Sequence, residues 1–321
     1  MTSTTDTFPA EAGWDTAPDL IEGAKTLELT PASANLAYWL KAMPATLRGH
    51  IAGHAPEVTI PDYMREEGPL REAITQELSF RAIAEEKATR ALGYLVPIAP
   101  TVDTMEFYAT QVIDEARHSM VFRNHLVELG VPREELWQRI HEIAAKDRAE
   151  VLDPLEEYAL KVMRDQRDFL GGVLILTIIV EGVLAPAAEL SERKWRPLNP
   201  AAADIERGAG IDEIRHLTVG AAAAREYLEA HPEERERAVA LIREGMGLWD
   251  VLPGHAMVHR REVIFQKGLE QHADVVGDYE IWPGRRLVDT TPEERQAQAE
   301  KWTEEMQESR LKYMGLEEAL A

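Results

Sequence analysis

Apolar residues along this chain recur at three- and four-residue intervals over long windows, and alternating runs that would make strands are few. Proline divides the windows into helices. Residues before about Leu29 read as an arm, and Thr30-Pro31 reads as a cap with proline at the first helical position, opening a helix to about Ile51. Pro56 and Pro61 mark a loop. A second helix is predicted from about Pro69 to Leu95, with Ile74, Leu78, Leu92 and Leu95 on its apolar stripe, before Pro97 and Pro100 stop it. A third runs from Thr101 or Asp103 to Gly130, and Pro132 opens a fourth with a break near Asp153-Pro154. The most apolar run, Phe169 to Val180, lies in a helix from about Asp165 to Glu192. Its twelve residues are too few for a bilayer, which takes roughly 20, so the helix is expected to be buried on all sides. Asn199-Pro200 caps a helix ending near Ala230, Pro232 begins another, and Pro253 breaks the chain after it. Asp289-Thr-Thr-Pro-Glu-Glu opens a charged surface helix in the tail. The pattern predicts an all-α bundle of long helices with short turns. It comprises an arm over 1–29, the bundle over 30–270 with its core near 70–220, and an extension over 271–321.

Charge and composition remove several functions. The 321 residues carry 35 Lys and Arg against 57 Asp and Glu, a formal charge of −22. So acidic a chain is not expected to bind nucleic acid. Cysteine is absent, which excludes disulfides, thiol nucleophiles and cysteine-held clusters. The first residues lack the basic and apolar regions of a signal peptide, and a cytoplasmic location is expected. No glycine-rich phosphate loop is present.

One internal similarity carries chemistry. Residues 114–118 read Asp-Glu-Ala-Arg-His and residues 212–216 read Asp-Glu-Ile-Arg-His, each inside a predicted helix. Glu115 and His118, like Glu213 and His216, are three apart, so their heads converge on one face. A single Glu-x-x-His is a common surface pair; a second copy differing only at its centre is far rarer by chance. Carboxylate and neutral imidazole together suit hard to borderline metal ions. A dinuclear centre needs two further carboxylates, one from each remaining helix of a four-helix bundle. Glu181 ends the most apolar run, where a carboxylate must be protonated, paired or bound to a cation. The second helix offers Glu77, Glu85 and Glu86. Glu85 is preferred because it sits in the apolar stripe, seven residues from both Leu78 and Leu92; Glu86 and Glu77 stay open. Hairpin turns near 98–100 and at Pro197 would bring four carboxylates and two histidines to one height.

This order of motifs resembles the ferritin-like di-iron carboxylate proteins, and most the branch of oxygenases and ribonucleotide reductase small subunits. The intervals of 30, 66 and 32 residues between Glu85, Glu115, Glu181 and Glu213 are similar to those of bacterial multicomponent monooxygenase hydroxylases. The resemblance covers about residues 70–220. It implies a ferritin-like four-helix bundle with additional helices at both ends, and two iron ions held by Glu85, Glu115, His118, Glu181, Glu213 and His216. Manganese is also accepted by such a set. Four carboxylates would balance two ferrous ions. It further implies that Asp114 accepts from the free ring N–H of His216 and Asp212 from that of His118, while Arg117 and Arg215 offset nearby acid charge. Dioxygen activation, an external electron donor (a reductase or ferredoxin) and a homodimer are expected with it.

Departures from the family narrow this. Where reductase small subunits place a radical tyrosine stands Phe122. The threonine of toluene-type hydroxylases is Ala185, followed by Pro186, and the extra histidine of arylamine N-oxygenases is Ala209. More loosely, the chain looks similar to the di-iron component of valanimycin-type azoxy-forming N-oxygenation. That likeness implies a small nitrogen-containing substrate, a hydrazine or amine taken to the azoxy or N-oxide level in natural-product biosynthesis, and a membrane-bound partner. The alternatives are C–H hydroxylation or desaturation of a small organic substrate, and a ferritin-like iron-handling or structural subunit without catalysis. A substrate channel ending near Phe122 and Ala185 would not separate these readings; a product assay would. His50 and His54, like His255 and His259, are four apart but read as surface histidines. Gly171-Gly172 reads first as a close-packing site, and Trp137, Trp249 and Trp282 as core or interface anchors.

Overall fold

The computed structural model describes residues 8–46 and 51–320. The protein is an all-α bundle. Its centre is four long helices: α3 (Pro69–Leu92), α4 (Val102–Glu128), α7 (Phe169–Trp195) and α8 (Pro200–Ala230). Preceding and intervening helices are α1 (Leu20–Thr26), α2 (Leu36–Thr46), α5 (Leu136–Ile143) and α6 (Asp153–Leu160). After the central four come α9 (Arg235–Val251), α10 (Gly254–Gln271) and α11 (Pro292–Met314). A tight turn at Val96–Ile98 folds α4 back on α3, and α8 folds back on α7 across residues 196–199; α4 and α8 pack together at the centre.

Helix starts follow from local chemistry. Thr101 Oγ1 accepts from the Thr104 amide at 3.1 Å, and Asn199 Oδ1 from Ala202 at 3.3 Å with Pro200 just inside the helix. At α11, Thr291 and Glu294 form a reciprocal capping box with bonds of 3.2 and 2.8 Å. The alanines and glycines of α8 let neighbours approach from all sides, and nearly its whole length is buried. Close packing also explains Gly172: a Cβ there would meet Leu95 and Met163 at 2.6 Å.

Several predicted features differ. Within the expected arm, α1 buries Leu20, Ile21 and Ala24 against α8 and α11, and the Ile21 amide donates to Glu189 at 2.7 Å. The helix predicted from Thr30 begins at Leu36, after turns around Pro31. No break occurs at Asp153-Pro154. The helix widens into π turns at Arg148–Leu152 and Lys161–Asp165, and Pro154 sits in the first turn after one of them, where its missing N–H costs least. The tail helix α11 is no mere surface helix: Met306, Leu311 and Arg295 are fully buried. A small antiparallel hairpin pairs β1 (Glu280–Trp282) with β2 (Arg285–Arg286), its turn allowed by Gly284 at φ +78°.

Among the described residues α7 is the one helix long and apolar enough to cross a membrane, and most of it is buried within the bundle. Its middle, Ile175–Val180, is a π segment directly before Glu181. The wider turn frees backbone carbonyls, and side chains from outer helices satisfy two of them. Trp249 Nε1 on α9 donates to Ile179 O at 2.7 Å, and Gln307 Nε2 on α11 to Ile178 O at 2.9 Å.

Candidate metal centre

Six side chains from the four central helices converge. Glu85 (α3), Glu115 and His118 (α4) and Glu213 (α8) offer ligand atoms all within 4.8 Å of one another, and so do Glu115, Glu181 (α7) and His216 (α8). Glu115 belongs to both groups. Of the three acidic residues considered on α3, only Glu85 joins. Glu77 is 3.0 Å from Lys194 and accepts from Trp195 Nε1 at 3.2 Å, while Glu86 is turned outward to Arg90.

The two halves mirror each other. His118 Nδ1 lies 3.2 Å from Glu115 and 3.7 Å from Glu213, and His216 Nδ1 lies 3.1 Å from Glu115 and 3.7 Å from Glu213. Both Nδ1 atoms thus face the carboxylates. Each Nε2 faces away, towards the Asp of the opposite motif: His118 to Asp212 at 3.3 Å and His216 to Asp114 at 3.4 Å. Arg117 pairs with Asp212, and Arg215 with Asp114 and with Thr110 Oγ1 at 2.9 Å. The aspartates are therefore neutralised in place, and they fix which ring nitrogen is left to face inward.

Residues that carried no motif complete the surroundings. Gln111 Nε2 donates to Glu181 at 2.5 Å, and Trp39 Nε1 to Asp114 at 2.9 Å. Neither has a spacing signal in the sequence; only the fold brings α2, and the turn of α4 before Glu115, to these carboxylates.

The electrostatics point to a cation. Burial is the largest influence on each group. It pushes Glu85 well above the usual carboxylate range, helped by the Glu115 charge, and Glu181 likewise, helped by Glu213. Burial also opposes ionisation of Glu115, yet His216 and His118 hold it well below that range. Burial disfavours both imidazolium forms, but bonds to Asp212 and Glu115 raise His118 to about 10, and Glu115 and Asp114 hold His216 well up. With protein groups alone, the upward shifts of Glu85, Glu181 and both histidines mean that the cluster draws protons to itself as positive charge. The proton solution is incomplete: Glu213 Oε2 and His216 Nδ1 are buried with no hydrogen-bond partner. His216 Nδ1 is near Glu115 Oε1, but off the direction a hydrogen bond requires. Carboxylate oxygens and inward imidazole nitrogens around one point fit a divalent cation, or two sharing Glu115.

Other expected features fall elsewhere. Phe122 and Ala185 are buried, Phe122 in the main core and Ala185 against α1. A cavity of about 50 Å³ lies where α3, α6 and α7 meet, lined by Ala84, Ala88, Leu155, Val180 and Leu184 together with Lys87 and Glu156. His54 is buried, not superficial: its Nε2 and the Nδ1 of His125 both meet Glu128, at 3.2 and 3.1 Å. His50 lies outside the described residues. His255 is exposed and His259 half-buried, and they face Glu300 and Glu293 of α11. Trp282 packs edge-on to Trp302, whereas Trp137 is partly exposed and stacks on His141.

The protein is thus an all-α bundle holding a buried Glu and His cluster that could hold a metal ion, compatible with a ferritin-like di-iron fold. No family model matches the chain, and comparison with curated proteins finds no match.

Proposed function

We propose that this protein is a non-haem di-iron oxygenase whose ligands are Glu85, Glu115, His118, Glu181, Glu213 and His216. The observation that carries the reading is the twofold cluster itself. Four glutamates, three of them buried and Glu85 partly so, and two inward imidazoles are arranged so that one glutamate serves both halves, and each imidazole is held from behind by an aspartate. A pair of iron ions bound there would supply dioxygen activation, giving electrons to dioxygen so that it can oxidise a small organic substrate.

The chain's own residues then have defined tasks. Asp212 and Asp114 orient the imidazoles, and Gln111 fixes the Glu181 carboxylate. The apolar turns around Glu181 exclude water. The cavity beside Ala84, Ala88, Val180 and Leu184 is a place for a small reactant, and two of its lining residues, Ala84 and Val180, are the chain neighbours of Glu85 and Glu181. N-oxygenation of a hydrazine or amine is the preferred reaction, on the family resemblance. The apolar lining of that cavity favours a second reading, oxidation of a C–H bond on an aliphatic group.

The test is anaerobic reconstitution with Fe(II), then mixing with dioxygen under optical observation. The parent should bind about two irons and develop an oxygen-dependent chromophore, and the Glu213→Ala, His216→Ala double variant should do neither. Failure of the folded parent to bind iron would sink the proposal. Product analysis with paired amine and alkane substrates separates the two reactions.

A further inference from the structure

Met120, Arg123, Asn124 and Val127 of α4 line a hollow of about 660 Å³, together with Ala52 and with Leu136 and Trp137 of α5. At 3.6 residues per turn the four α4 residues stand on the side of that helix turned away from His118, so the hollow is separate from the metal-facing cluster. Its volume lies within the range of small-molecule sites, about 300–1,000 Å³. Two arginines line it, and among the described residues neither Arg123 nor Arg133 has an ion-pair partner, although the chain carries 57 acidic residues to 35 basic ones. Arg123 is half-buried. Its Nε donates to Ser119 O at 3.0 Å and its guanidinium lies over the Trp137 ring, 4.9 Å from the centre. This holds the group in place and leaves its two terminal nitrogens with no hydrogen-bond partner among the described residues. Burial works against its charge, and Glu86, whose charge it feels, is paired with Arg90. A cation drawn partly out of water with no counter-charge is best completed by an anion.

Two acids also line the hollow, and one of them is already answered from inside. His54 Nδ1 meets Ala55 O at 3.0 Å and its Nε2 meets both Glu128 oxygens at 3.2 Å. Both ring nitrogens face acceptors, so His54 carries both protons and cancels the Glu128 charge. Asn199 Oδ1 accepts from Ala202, so its Nδ2 donates to His125 Nε2 at 3.0 Å, and His125 Nδ1 donates to Glu128 at 3.1 Å. Glu134 alone is left to oppose the two arginines, and the lining keeps one positive charge in excess. We propose that this hollow binds a small amphipathic organic anion, with its carboxylate or sulfonate on Arg123 and Arg133 and its apolar body against Met120, Val127 and Leu136.

The test is calorimetric titration of the full chain, without added metal and at low salt, with naphthalene-2-carboxylate, the neutral 2-naphthamide and the cationic 2-naphthylmethylammonium. The carboxylate should bind once per chain, with the amide and the ammonium at least roughly tenfold weaker, as loss of a charge-assisted bond implies. Arg133 is exposed, so Arg133→Gln should keep the parent melting curve while weakening the carboxylate roughly tenfold and leaving the amide unchanged. Glu134→Gln should tighten the carboxylate. Absence of saturable carboxylate binding, equal binding of carboxylate and amide, or unchanged carboxylate binding by folded Arg133→Gln would each overturn the site. No metal takes part, so these outcomes are independent of the di-iron reading.

Discussion

Asp114 and Asp212 do their work through the far nitrogens of the two histidines. Each is paired with an arginine, so neither needs a cation for its own charge; what each contributes is the orientation of an imidazole. Asp212→Asn keeps the shape but weakens the hold on His118 and leaves Arg117 without its charge partner. Metal affinity should fall roughly 10–100-fold, read by titration with Fe(II) or Mn(II), with little change in helicity. The protons on the cluster make a second expectation. His118 is raised to about 10, and His216, Glu85 and Glu181 are raised well above their ordinary values by burial and neighbouring charge, so each holds its proton more tightly than a free side chain does. A cation requires their basic forms. Binding at pH 7 should release protons, and affinity should rise with pH across the range below about 10. Calorimetry in buffers of different ionisation enthalpy counts these protons; binding with no proton uptake by the buffer would contradict the electrostatic account.

At the scale of the element, the position of Glu181 depends on the π segment that precedes it. Gly182 makes that segment possible, since a Cβ there would lie 2.8 Å from the Thr177 carbonyl oxygen. Gly182→Ala should push the turn back towards α geometry and rotate Glu181 out of register with Gln111. Trp249→Phe should act from outside by freeing the Ile179 carbonyl, at a cost of about 1–3 kcal/mol for the buried acceptor left unpaired. Both variants should lose metal affinity more than helix content, a comparison open to circular dichroism beside metal titration. This device was not legible in the sequence. Periodicity shows that Phe169 to Val180 is buried, but a single turn of shifted hydrogen bonding leaves the apolar pattern unchanged. What was legible were features with spacing: the repeated Asp-Glu-x-Arg-His, the capped starts at Asn199 and Thr291, and Glu85 standing in an apolar stripe. Gln111 and Trp39 are single polar or aromatic residues in amphipathic helices, and only the packing of α2, α4 and α7 gives them meaning. The buried α1 escaped for a related reason, because one helical turn of Leu20, Ile21 and Ala24 is too short for a period to register.

Across the whole molecule, the outer helices are tied to the centre by a buried chain of charges. Arg295 of α11 bonds Glu262 of α10 at 2.5 Å, and Lys194 of α7 joins Glu262 at 2.7 Å to Glu77 of α3 at 3.0 Å. Arg81 continues it to Glu206 of α8 at 3.1 Å. Such a chain is strong only when complete, because each lost partner strands a charge out of water. Glu262→Gln would leave Lys194 and Arg295 underpaired and should destabilise the protein by roughly 3–5 kcal/mol at neutral pH. The network also sets an acid limit. Burial opposes ionisation of Glu77, but Lys194 and Arg81 outweigh it and bring its pKa to about 2; Glu262 is likewise held down by Lys194 and Arg295. A carboxylate depressed in the folded state stabilises above its unfolded value of about 4.3, and that contribution is lost as pH falls through the folded value. Glu206 works the other way: burial raises it to about 7 despite Arg81, so its share of stability declines as pH rises from about 4.3 towards 7. Glu206→Gln should therefore cost least at neutral pH, while Glu262→Gln should flatten the loss of stability below pH 4. Denaturant unfolding of the three proteins between pH 2 and 8 resolves the two signs. Parallel pH profiles for all three would mean that these buried pairs hold the outer helices by shape, not by charge.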